Sequence, residues 1–166
     1  MVGRISEYKN LPVVLDAWQR HRSGSHWRGD RLVILGDGPR PPVLPDAVDW
    51  TPGRFRYEDV LPQIAAAKGS VVHYRTASQS GAQLMAMQLG VTPLISDVGG
   101  LPEFQPPSEP ASGVDDPAAL AAVLDGLADP AAAAARGAAA RAHYESRYSA
   151  AVAATELRGV FDRVTG

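Results

Sequence analysis

Residues 71–103 read VVHYRTASQSGAQLMAMQLGVTPLISDVGGLPE. A short apolar run rich in β-branched residues opens the stretch, a small-residue turn follows, and then come a compact helix, a second apolar run and the turn Gly99-Gly100. Strand, loop, helix and strand in that order form the parallel crossover unit of an open α/β sheet. In such a sheet the loop after a strand's carboxyl end, residues 76–81 here, carries the next helix's N-terminus to the ligand crevice. Unpaired backbone amides and the positive end of the helix dipole gather there, so the position suits an anion such as phosphate.

Upstream, residues 1–5 read as the end of a strand, short against the usual five or six residues. A turn over residues 3–10 carries Arg4 and Lys9, and Asn10 has the side chain of an N-cap. Leu11, Val14, Leu15 and Trp18 follow the spacing of a core-facing helix, expected to end before the polar run 22–30. Leu32-Val33-Ile34-Leu35 does not alternate and predicts a fully buried strand, stopped by Gly36-Asp37-Gly38-Pro39. Residues 40–46 hold three prolines and are poor helix material. Residues 48–51 predict a short strand. Residues 57–68 place Val60, Leu61 and Ile64 at helical spacing, with Pro62 tolerable if the helix starts near Glu58 or Asp59.

Downstream, Pro106, Pro107 and Pro110 predict an irregular 104–112. Asp116-Pro117 and Asp129-Pro130 are two N-cap and first-turn proline pairs, each opening a helix. The last segment sets Leu157, Val160, Phe161 and Val164 on one face, which either covers the sheet or meets a partner.

At 166 residues the chain has room for one good core, and its net charge of -2 with no basic block favours neither nucleic acid nor an acidic membrane surface. The absence of cysteine removes disulfides and thiolate chemistry. No run is long and apolar enough for a membrane span or secretory signal, so a cytoplasmic location is expected.

Val2-Gly3-Arg4, Lys9, the helical run to Trp18, LVILGDGP at 32–39, GVTPLISDVGGLP at 90–102 and Asp116-Pro117-Ala118-Ala119-Leu120 stand in one order and spacing. In that register the chain resembles, nearly end to end, the C-terminal donor-binding domain of GT-B glycosyltransferases, specifically the large retaining family four. The resemblance implies an α/β fold, a Rossmann-like three-layer parallel sheet with helices on both faces, forming one half of a GT-B enzyme. It implies a single nucleotide-sugar-binding domain over residues 1–166, with the N-terminal acceptor-binding domain absent. Arg4 and Lys9 take the positions of the cations that grip the donor diphosphate, where fixed positive charge and helix amides stabilise the departing group without a metal. No cofactor is implied: a nucleotide diphosphate sugar of unknown base is the substrate. Gln79, Ser80, Gly81 and Ala82 fall on the donor phosphate and sugar loop.

The departures from that pattern bear on function. Members usually carry two glutamates, one near the donor sugar and one on the nucleotide ribose, and these positions fall on Ala77 and Met85. Neither side chain accepts a hydroxyl's hydrogen bond as a carboxylate does. At about 1.5 to 3 kcal/mol for each such bond, losing both weakens ordinary donor binding by orders of magnitude. Gln79 or Gln83 is the nearest replacement for a sugar contact. The usual Pro-Ser upstream is His73-Tyr74.

Other signals are weaker. Gly36-Asp37-Gly38-Pro39 lacks the third glycine of a dinucleotide loop, and His21, His26, His73 and His143 share no metal-ligand spacing. Phe55, between Arg54 and Arg56, is either a nucleobase platform or an exposed turn aromatic. The expected function is therefore the donor half of a hexosyl-type glycosyltransferase acting with retention. It is not expected to be active alone, and it would need an acceptor domain, a partner chain or a second copy. The alternative is a non-catalytic, degenerate subunit that stabilises or regulates a partner enzyme.

Overall fold

The computed structural model describes residues 1–165. Two pairs of parallel strands carry the architecture. β1 (Leu32–Leu35) pairs with β2 (Val48–Thr51), Leu32 opposite Val48 and Leu35 opposite Thr51. β3 (Gly69–Val72) pairs with β4 (Thr92–Ile95), Gly69 opposite Thr92 and Val72 opposite Ile95. The N-terminal residues add to the first pair. Val2 bridges Leu35 in parallel, the Gly3 amide donates to the Leu35 carbonyl at 2.9 Å, and the Leu35 amide donates to the Met1 carbonyl at 3.0 Å.

Seven α-helices among the described residues surround these strands: α1 (Leu11–Ser23), α2 (Tyr57–Ala65), α3 (Gly81–Gln88), α4 (Leu101–Phe104), α5 (Pro117–Gly126), α6 (Pro130–Arg147) and α7 (Ala150–Thr165). Successive strand residues point to opposite faces, and the core divides accordingly. Leu32, Ile34, Val71 and Leu94 join Leu11, Val14 and Trp18 of α1 and Leu120 of α5 in one cluster. Their neighbours Leu35, Val72 and Ile95 turn to the other face, where Val60 and Ile64 of α2, Ala86 of α3 and Leu101 of α4 lie. Helices on both faces of parallel strands make the chain α/β and Rossmann-like. No single helix is long and apolar enough to cross a membrane.

The aspartate-proline pairs start their helices as expected. Asp116 Oδ1 accepts from the Ala119 amide at 2.9 Å and Asp129 Oδ1 from the Ala131 amide at 2.8 Å, a capping geometry worth about 1 kcal/mol each. Three expectations are corrected. Asn10 sits before α1 with no side-chain cap bond: its backbone is left-handed at φ 53° rather than extended as a capping residue's is, and its Nδ2 is held by the Val114 carbonyl at 2.6 Å and His73 Nδ1 at 3.2 Å. Val33, expected inside, is 38% exposed because it faces the gap between the two strand pairs. α2 begins at Tyr57 and holds Pro62 in its interior. Of the two alternatives held for the apolar face of α7, covering the sheet is not what the structure shows: Leu157, Val160, Phe161 and Val164 are 46% to 79% exposed.

Candidate functional site

Lys9 ends a single 3-10 turn, Glu7–Lys9, that the chain makes after leaving the N-terminal strand. The turn points its side chain back under that strand, close enough that a Cβ on Gly3 would stand 3.3 Å from Lys9 Nζ. Lys9 as a whole is 4% exposed. It donates to the Val2 carbonyl at 2.9 Å and to the Tyr74 hydroxyl at 2.9 Å, with Nζ 4.5 Å from the centre of the Tyr74 ring. Among the described residues no carboxylate reaches it. Burial lowers the Lys9 pKa from its ordinary value, with Tyr8 opposing. Such a cation is held by neutral oxygens and an aromatic face alone, an arrangement that leaves its charge for an anion.

Tyr74 lies just past β3, and its hydroxyl links Lys9 to the loop ahead of α3. Ser80 Oγ donates to the Tyr74 oxygen at 3.4 Å and, as the α3 N-cap, accepts from the Gln83 amide at 3.4 Å. Burial raises the Tyr74 pKa, opposed by the Ser80 hydrogen bond, so the phenol stays protonated. The backbone around it is fixed by Ser96, whose Oγ accepts from the Tyr74 amide at 3.0 Å and donates to the Tyr74 carbonyl at 2.6 Å. Lys9, Tyr74, Ser80 and the first turn of α3 thus form one hydrogen-bonded series at the carboxyl end of β3, where the helix dipole is positive.

The loop is clamped from the other side by Gly99-Gly100. Gly99 has φ 55°, and a Cβ there would fall 1.6 Å from the Ala77 carbonyl oxygen; one on Gly100 would fall 2.2 Å from that of Ser78. The turn after β4 therefore closes on the backbone of residues 77–78, which fixes the approach to α3.

The remaining site candidates divide by burial. Arg4 is exposed and has no ion pair or hydrogen bond among the described residues. Gln79 and Gly81 are also exposed, while Ala82 is half-buried, packed with Ala77 on the cluster of Val72, Tyr74 and Ile95. Gln83 is fully buried, its Nε2 donating to the Leu101 carbonyl at 2.9 Å and to Gln105 Oε1 at 3.2 Å, so it ties α3 to α4. Arg54 is exposed. Phe55 is not a free turn aromatic: it is half-buried against the cluster of Leu35, Val60 and Ile64, the cluster that also receives Met85, and it meets the Tyr57 ring edge-on at 6.3 Å. The fold brings Phe55 and Met85 to one apolar patch.

His73 completes the neighbourhood as a structural residue. Its Nδ1 accepts from Asn10, its Nε2 lies 3.3 Å from the Gly113 carbonyl, and burial lowers its pKa, which favours the neutral ring with the proton on Nε2. Tyr74 is the member of the site that no sequence motif marks. Its only signal was the replacement of Pro-Ser by His73-Tyr74 at the strand end.

The fold superposes on sucrose-phosphate synthase from Thermosynechococcus elongatus with a TM-score of 0.77, at 22% identity, over 98% of this chain and 45% of that one. The likeness identifies the fold as the Rossmann-like half of a GT-B glycosyltransferase, and this chain spans less than half the length of that protein. The sequence profile of the family described as glycosyl transferases group 1 matches residues 1–129, from the N-terminal strand through α5. The chain belongs to the group 1 glycosyl transferases.

Proposed function

We propose that residues 1–166 form the donor-binding side of a retaining, family-four-type glycosyltransferase, holding a nucleotide diphosphate sugar at the carboxyl ends of the strands. The observation that carries the reading is Lys9: a buried ammonium with only neutral partners, joined through Tyr74 to the serine that caps α3. A diphosphate supplies the missing counter-charge, and its charge grows as the glycosidic bond breaks, so the same groups bind the donor and favour departure of the nucleotide. Arg4, exposed on the connection between the N-terminal strand and that 3-10 turn, adds a second cation from the solvent side. The nucleoside lies toward Phe55 and Met85. The acceptor wall of the cleft comes from outside these residues, and transfer needs it.

A second reading keeps the fold and drops the chemistry: a degenerate subunit that stabilises a partner enzyme. Ala77 and Met85 favour it, since both pack into apolar clusters where a glutamate would offer the sugar and ribose an acceptor.

Thermal melts with uridine, guanosine, adenosine and thymidine diphosphates separate the two. A nucleotide at a hundred times its Kd adds about 2.7 kcal/mol to the native state, which for a chain of this size raises Tm by roughly 5–10 °C. The donor reading expects such a shift with at least one base, lost in Lys9→Ala and reduced in Arg4→Ala. No shift at millimolar nucleotide, or a shift that both variants retain, sinks it in favour of the scaffold reading.

A further inference from the structure

Lys9 is sealed where it stands. Its Nζ is covered by the Val2 carbonyl at 2.9 Å, the Tyr74 oxygen at 2.9 Å, and the Tyr74 and Tyr8 rings, whose centres lie 4.5 and 5.6 Å away. A diphosphate laid over this cover does not touch the ammonium, so one of the covering groups has to yield. They differ in what holds them. The Val2 carbonyl belongs to the N-terminal strand, which the Gly3 and Leu35 amides tie to β1. The Tyr8 carbonyl takes the Arg75 amide at 2.7 Å, which fixes the turn, while the Tyr8 ring is 42% exposed and too far from Nζ to be its ligand. Tyr74 reaches Nζ through a rotatable side chain: Ser96 holds its backbone, and among the described residues its hydroxyl is bonded to Lys9 and, at 3.4 Å, to Ser80.

We propose that the Tyr74 hydroxyl stands in for a phosphate oxygen: it keeps Lys9 covered, and a donor diphosphate reaches the ammonium by turning the phenol out and taking its place. The two groups that converge on the phenol oxygen, an ammonium and the hydroxyl that caps α3, are of the kind that hold phosphate oxygens at helix N-termini. The phenol fills that position without the charge. Burial keeps it protonated, so Lys9 has a ligand but no counter-ion. An anion offers the buried ammonium what a neutral oxygen does not, and that difference drives the exchange. The ring leaves past Tyr8, which it meets edge-on with centres 5.3 Å apart and which already stands partly in water. Because the covered form competes with the ligand, the apparent Kd is the intrinsic one divided by the open fraction. The exchange rests on the donor site proposed above and gives that site its gate.

Calorimetric titration with inorganic pyrophosphate, a probe that carries no base, compares the parent chain with Tyr74→Ser and Tyr74→Phe. Serine removes both ring and oxygen, and the Kd should fall about tenfold or more, the worth of one hydrogen bond to a charged group. Phenylalanine keeps the ring packed with Val72, Ile95 and Leu101, which preserves the fold, and removes only the competing oxygen, so its Kd should fall as well. The gain should vanish when Lys9→Ala is added. A second readout needs no anion. Acetylation of Lys9 by an N-hydroxysuccinimide ester, measured by mass spectrometry against Lys68 of the same chain, should rise about tenfold or more in Tyr74→Ser as the open fraction grows. Pyrophosphate that binds the parent as tightly as it binds both variants, or more tightly, makes Tyr74 a ligand contact and overturns the proposal. A gain that survives Lys9→Ala, or Lys9 acetylation that serine leaves unchanged, also overturns it. In each of these cases pyrophosphate still binds and the donor site stands. Raised acetylation with no pyrophosphate bound by any of the chains instead overturns the donor site and the exchange with it, so the two failures are read apart.

Discussion

An ammonium taken out of water costs several kcal/mol unless an anion meets it, and Lys9, at 4% exposure, meets a carbonyl and a phenol. Stability and binding should therefore pull against each other at this one residue. Lys9→Met keeps the apolar stem and removes the unpaired charge, so the apo chain should melt about 2–4 °C higher, roughly 1 kcal/mol, while the nucleotide-dependent shift disappears. Calorimetry with and without nucleoside diphosphate reads both; a variant that melts lower and still responds to nucleotide contradicts the assignment. His73 makes a pH prediction from the same neighbourhood. Burial favours its neutral form, so between its native pKa and the ordinary 6.5 the unfolded chain binds more protons and stability rises with pH. The Met1 amine, lowered from 8.0 to about 5, acts in the same direction over a higher window. Urea midpoints should fall progressively from pH 8 to pH 5. N-terminal acetylation should flatten the upper part of that fall and His73→Gln the lower part. The positions of Lys9, Arg4 and Ser80 are legible in the chain, because turn residues and a helix start mark them. The burial of Lys9 and its bond to Tyr74 are not, since they join residues far apart in sequence. Asn10 shows the same limit: local capping rules describe its side chain, but two tertiary acceptors claim it.

At the scale of elements, the helix starts at Asp116 and Asp129 and the strands at 32–35 and 48–51 could be read from sequence, since capping and β-branched runs act locally. What lies against each element could not. Gly137 and Gly159 make the point: each sits inside an exposed-sided helix, and helix propensity ranks alanine above glycine by up to about 1 kcal/mol at both. In α6, however, a Cβ at Gly137 would stand 2.0 Å from the Gly90 carbonyl oxygen, where the helix crosses the turn between α3 and β4. In α7 a Cβ at Gly159 meets nothing closer than the Arg163 guanidinium at 3.7 Å. Gly137→Ala should therefore destabilise by about 1–3 kcal/mol, the usual cost of overpacking, and Gly159→Ala should stabilise by about 0.5–1 kcal/mol. Guanidinium denaturation of the two variants checks the pair. Gly137→Ala melting at or above the parent would mean that α6 does not approach β4 as described.

Over the whole molecule, the split between strand pairs raises the question of whether the halves unfold separately. The apolar clusters argue that they do not. Leu32 and Ile34 from one pair and Val71 and Leu94 from the other lie in a single cluster, and α1 and α5, packed on each other, span the divide. Leu120 of α5, 1% exposed, sits in that shared cluster. Removing its side chain should weaken both pairs together rather than loosen the nearer one. Leu120→Ala should cost about 2–5 kcal/mol, as buried leucine truncations do, with one cooperative transition retained and a calorimetric enthalpy equal to the van't Hoff value. Native-state hydrogen exchange then decides the matter by location. Amides of β1 and β4 should lose protection by the same factor in the variant, since both depend on one global opening. Protection lost in β4 alone would show that the strand pairs are independent units, and that the packing of α1 on α5 does not couple them.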